Sequence, residues 1–102
     1  MIDAHEPQRL EVSVHGRVQG VGFRVFVARR VRDLAIDGWI ANTPSGGVDV
    51  VAEGARQDLE TVLGIIRLGP PGAHVERVIE RWGPARGGLT HFAIRSGAHP
   101  GD

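Results

Sequence analysis

At 102 residues, 41% of them apolar and 24% charged, the chain is sized for one domain with one core and has an ordinary globular composition. It has no cysteine, which excludes disulfides, thiol nucleophiles and cysteine-ligated metals; its 12 basic residues are all arginine, which excludes a lysine nucleophile or Schiff base. Those 12 arginines balance 12 acidic residues, and a net charge of zero argues against nucleic acid as a partner, which selects a basic excess.

The opening stretch MIDAHEPQRL has neither a basic n-region nor an apolar h-region, so no signal peptide is expected. No apolar run approaches the ~20 residues of a membrane-spanning helix, and the expectation is a cytoplasmic protein with no membrane segment. Residues 1–9 are expected to be a flexible arm, 10–95 the domain and 96–102 a flexible tail.

Leu10 to His15 alternate apolar and polar, the pattern of a half-buried strand. The Gly-rich stretch GRVQGVGFR, Gly16 to Arg24, follows. Phe23, Val27, Val31 and Leu34 then recur at helical spacing, with Arg29, Arg30 and Arg32 on the wet side. Asp37-Gly38 predicts a turn and Trp39 to Ala41 a second strand. NTPSGG, Asn42 to Gly47, predicts a hairpin turn into a third strand over Val48 to Glu53. Ala55, Leu59, Val62 and Ile66 mark a second helix, which GPPGA breaks at Gly69. Val75 to Trp82 reads as a fourth strand, GPARGG as a loop and His91 to Arg95 as a short fifth strand. The order β-α-β-β-α-β plus a terminal strand predicts an α+β, ferredoxin-like split β-α-β fold: an antiparallel sheet with two helices on one face.

A loop joining a strand end to a helix start has free backbone N–H groups in a field that favours anions. Gly16, Gly20 and Gly22 allow successive N–H groups to converge into an anion nest, and Arg24 in the first helical turn can reach the same place with a guanidinium fork. A tight Gly-rich turn with a surface arginine accounts for the same residues. A Walker A loop is excluded for want of lysine, and Val25 stands where a dinucleotide fingerprint needs its third glycine. Taken alone, Asn42 reads as a turn residue.

GRVQGVGFR followed by an amphipathic helix, and then GWIANTPSGGVDV, resemble the acylphosphatase family, and the similarity runs from about Leu10 to Ile94. AEG, the second helix and GPPGAHVERV also sit where that family has them. Members often carry an aromatic near the C-terminus; this chain has no tyrosine. The resemblance implies the ferredoxin-like fold and an enzyme that hydrolyses acyl phosphates as a monomer without cofactor or metal. It also implies that Arg24 and the amides of Gln19, Gly20, Val21, Gly22, Phe23 and Arg24 bind the phosphoryl group, and that Asn42 orients the attacking water. Arg17 is then either an anion-attracting residue or a solvent-facing one, and Thr43 either a support for Asn42 or a turn cap.

The composition is compatible with that chemistry. An acyl phosphate releases a carboxylate, which leaves without strong acid assistance, so the site need only hold a dianion and place water in line. The five histidines form no H-x-x-x-H pair and do not cluster with the acidic residues, and His15 and His91 fall on polar strand faces. Three other functions fit parts of the pattern. One is the acylphosphatase-like domain of a hydrogenase maturation protein. Another is an RNA-binding ferredoxin-like module, which needs exposed strand aromatics where Glu11, Ser13 and His15 stand. The third is an anion-binding module without turnover.

Overall fold

The computed structural model describes residues 6–96. Seven elements follow in order: β1 (Gln8–Arg17), α1 (Phe23–Val31), β2 (Asp37–Asn42), β3 (Val48–Gly54), α2 (Arg56–Leu68), β4 (His74–Pro84) and β5 (Ala93–Arg95). They build one five-stranded sheet in the order β4-β1-β3-β2-β5. The first six elements are the expected ferredoxin-like unit.

Strand alternation produces the layers. Leu10, Val12 and Val14 of β1 and Val48, Val50 and Ala52 of β3 turn one way and are buried. Phe23, Val27 and Val31 of α1 and Leu59, Val62 and Ile66 of α2 close over them, so both helices lie on one face of the sheet. Burial of each Leu, Val, Ile or Phe side chain among them is worth about 1.5–3 kcal/mol. The opposite face is polar where β1 meets β3: the Ser13 hydroxyl donates to Asp49 Oδ1 at 3.1 Å.

Several boundaries differ from expectation. Gln8 and Arg9 belong to the sheet rather than to a flexible arm, because Gln8 pairs with Gly54 on one side and Pro84 on the other. The remainder of the expected arm, residues 1–5, and residues 97–102 of the expected tail lie outside the described residues. Asp37-Gly38 is the start of β2 instead of a turn, with Gly38 opposite Ala52. A Cβ on Gly38 would lie 2.0 Å from the Val51 carbonyl oxygen, so the glycine serves close strand approach. Leu34 lies beyond the end of α1 yet still packs on the core.

The sheet is also not wholly antiparallel: β5 pairs with β2 in parallel. β4 ends where β2 begins, so a chain crossing from one sheet edge to the other must run up alongside β2. One buried carboxylate fastens that crossing. Glu53, only 7% exposed, accepts from the backbone N–H of Arg86 at 2.9 Å and of Gly87 at 3.0 Å, and from Arg9 Nη1 at 2.9 Å. Burial alone pushes the Glu53 carboxyl up, but the Arg86 N–H, the Arg9 guanidinium and the Gly87 N–H outweigh it and hold it below the usual value.

A carboxyl depressed on folding stabilises above its unfolded value, about 4.3, and that contribution is lost as pH falls through the folded value. Glu53→Gln is therefore expected to lower stability near neutral pH by about 1–3 kcal/mol. Urea denaturation of both proteins from pH 7 down to acid checks this, and the gap between them should narrow below the unfolded value.

Candidate functional site

Antiparallel pairing sends β1 and β2 to finish at the same end of the sheet, and parallel pairing brings β5 there too. The loop 18–22, the turn after Asn42 and the last residues of β5 consequently gather around the N-terminus of α1.

Two glycines shape the loop. Gly20 (φ 74°) and Gly22 (φ 77°) are left-handed, a conformation costly for other residues. A left-handed Gly22 is the N-cap of α1, and the first bond onto the helix is Phe26 N–H to Gly22 O at 3.0 Å. The N–H groups of Gln19, Gly20, Val21 and Gly22 donate to no described backbone carbonyl, and those of Phe23 and Arg24 belong to the open first turn. Acidic residues are absent from that turn, which leaves the helix dipole uncancelled. Gly16, expected to share in the loop's freedom, stays in β1 opposite Val75 at a register shift.

A cavity of about 130 Å³ opens over the loop, lined by Val18, Gly20, Gly22, Phe23, Arg24, Val25 and Asn42; Gln19 and Val21 of the expected set do not line it. Arg24 and Asn42, proposed from the sequence as a pair, are thus brought together on one concave surface with the loop glycines. Larger hollows beside Trp82 (about 340 Å³) and on the open sheet face (about 380 Å³) do not combine these features. Arg24 Nη1 donates to the Arg95 carbonyl at 2.7 Å, so the end of β5 holds one arm of the fork, and the other nitrogens make no hydrogen bond among the described residues. Asn42 is the last residue of β2, opposite Val48. Its carboxamide takes no part in the side-chain hydrogen bonds among the described residues and is free to bind water.

The other expected residues divide. The Thr43 hydroxyl accepts from Gly47 N–H at 3.0 Å and lies 2.9 Å from Ser45 Oγ, so it caps the turn. Arg17 is the exposed end of β1, opposite His74, and does not line the cavity. No group of three or more His, Asp or Glu among the described residues is placed to hold a metal.

Two contacts had no reading in the sequence. One is the Arg95 carbonyl on Arg24. The other is the side chain of Gln19, whose Nε2 donates to Thr43 O and Gly47 O, both at 2.8 Å. A carboxamide between Val18 and Gly20 in an otherwise apolar loop was the available signal.

Residues 10–94 match the family model described as Acylphosphatase. The chain is 45% identical over 92 residues to an acylphosphatase of Nocardia farcinica, covering 90% of this chain and 92% of that one. It is similar to the crystal structure of acylphosphatase from Bacillus subtilis, with a TM-score of 0.81 and 31% identity over 86% of this chain and 98% of that one. It is also similar to a small part of full-length HypF in its phosphate- and nucleotide-bound form: TM-score 0.76 and 26% identity, over 99% of this chain and 13% of that one.

Proposed function

The chain belongs to the acylphosphatase family and is an enzyme of that family, and we propose that it hydrolyses the carboxyl–phosphate bond without a metal, using Arg24, the loop amides and Asn42. The observation that carries this reading is the single cavity shared by Arg24, Asn42 and the left-handed glycines.

The phosphoryl dianion sits over the loop, where the N–H groups of Gln19, Gly20, Val21, Gly22, Phe23 and Arg24 converge on its oxygens. The Arg24 guanidinium supplies the full positive charge. Asn42 accepts a hydrogen bond from water through its side-chain oxygen and donates to the phosphoryl group through its nitrogen, which sets the water in line. The water oxygen bonds to phosphorus as the bond from phosphorus to the carboxylate oxygen breaks. The carboxylate departs with the bonding pair, and the water proton passes to a phosphoryl oxygen. Because the leaving group is stable as an anion, no general acid is needed. The substrate is a small-molecule acyl phosphate, taken by a cytoplasmic monomer; the neutral net charge gives no support to a nucleic-acid partner.

The test is hydrolysis of benzoyl phosphate after exhaustive dialysis against chelator, with chelator kept in the assay. Turnover is expected to stay within about twofold of the undialysed enzyme and to be inhibited competitively by inorganic phosphate. Loss of turnover on chelation, restored by a divalent cation, would overturn the metal-free mechanism.

A further inference from the structure

We propose that the Gln19 side chain is a positioning residue, a clasp that sets the distance between the phosphate loop and Asn42. The proposal rests on the reading of Asn42 given above.

The argument begins with what aims Asn42. Its carboxamide has no side-chain partner among the described residues, so its place depends on its backbone at the end of β2. The chain there is finished by the 43–47 turn, closed by Thr43 N–H to Gly47 O at 3.0 Å and Gly46 N–H to Thr43 O at 3.1 Å. Gln19 Nε2 reaches from the phosphate loop to both carbonyls of that turn, at 2.8 Å each. Two carbonyl oxygens around one atom require an N–H₂ group, which donates one hydrogen to each. The two contacts therefore join the segment that holds phosphorus to the segment that holds water. Gln19 stands between Val18 and Gly20, which line the cavity, while its side chain grips the turn, so one residue ties both halves of the site together.

This clasp separates position from fold. Thr43 O keeps the Gly46 N–H and Gly47 O keeps the Thr43 N–H when the glutamine side chain is removed. The turn then survives but can shift relative to the loop, and small displacements of a positioned reactant cost about 10²-fold in rate.

The experiment uses Gln19→Ala and Gln19→Met, the second keeping length and bulk without a donor, each checked by circular dichroism and thermal melting. Steady-state hydrolysis of benzoyl phosphate is read with the inhibition constant of inorganic phosphate, in both the native and the Asn42→Ala backgrounds. The expected result is a fall in kcat of ~10- to 100-fold with phosphate inhibition changed less than ~3-fold. In the Asn42→Ala background the same substitutions should cost less than ~2-fold, because the clasp then has nothing to aim. A folded variant with kcat within twofold of the native enzyme overturns the proposal. So does a loss of phosphate binding equal to the loss of rate, or an equal loss in both backgrounds. If Asn42→Ala itself costs nothing, it is the reading of Asn42 that fails.

Discussion

Arg24→Ala is expected to cut kcat/KM for benzoyl phosphate by about 10³-fold or more, the scale set by arginines at other phosphoryl-transfer centres. That is about 4 kcal/mol of lost transition-state stabilisation. The reason is charge. The loop amides and the helix N-terminus contribute only partial positive charge, whereas Arg24 brings a whole one on a planar fork that matches two phosphoryl oxygens. Its substitution should not unfold the protein. Arg24 is in the first turn of α1, the buried side of that helix is Phe23, Val27 and Val31, and the side chain's hydrogen bond among the described residues is an exposed one to the Arg95 carbonyl. Alanine is moreover the better helix former. Arg24→Lys restores charge without the fork and should recover only part of the rate. The check is steady-state kinetics beside circular dichroism and phosphate inhibition. A folded Arg24→Ala protein within tenfold of native activity would remove Arg24 from the site.

Asn42→Ala is expected to lower kcat by about 10²- to 10³-fold while inorganic phosphate still inhibits with nearly its native constant, the split expected of a group that places water. The backbone of Asn42 keeps its pairing with Val48, so β2 and β3 stay in register without the carboxamide. Asn42→Asp is the sharper control: it still accepts from water, but it cannot donate to the phosphoryl group and adds a like charge beside a dianion. It should be no more active than alanine and should also weaken phosphate inhibition. An Asn42→Ala enzyme that loses phosphate binding in proportion to rate would make Asn42 a binding residue and leave water orientation unassigned.

Much of this architecture is legible in short windows of the chain. The alternation of Leu10, Val12 and Val14 marks β1, and the spacing of Leu59, Val62 and Ile66 marks α2. The glycines at 20 and 22 announce a left-handed loop before a helix, and the structure places both there. Arg24 and Asn42 stand out only through the motifs around them, because neither is distinctive by itself. Asp37-Gly38 misled for a physical reason. A glycine required by close packing against Val51 looks the same in sequence as one required by a turn. Fraying was likewise expected at Gln8 and Arg9, since nothing local shows that two strands flank them.

The sequence by itself determined the elements whose cause is local: strand and helix periodicity, the hairpin turn, the left-handed glycine loop and the residue types available for chemistry. Its zero net charge and lack of cysteine and lysine also bounded the chemistry. The tertiary structure alone decided what joins distant segments. It set β5 parallel to β2, fastened the crossing through Glu53 to Gly87 across 34 positions, tied Gln19 to Gly47 across 28, and laid the Arg95 carbonyl on Arg24 across 71. Each of these contacts pairs a common polar group with a backbone atom. A backbone carbonyl or N–H is the same at every residue, so sequence carries no signal of which one is met. Strand pairing and the course of the connections bring the distant segments together and so select it.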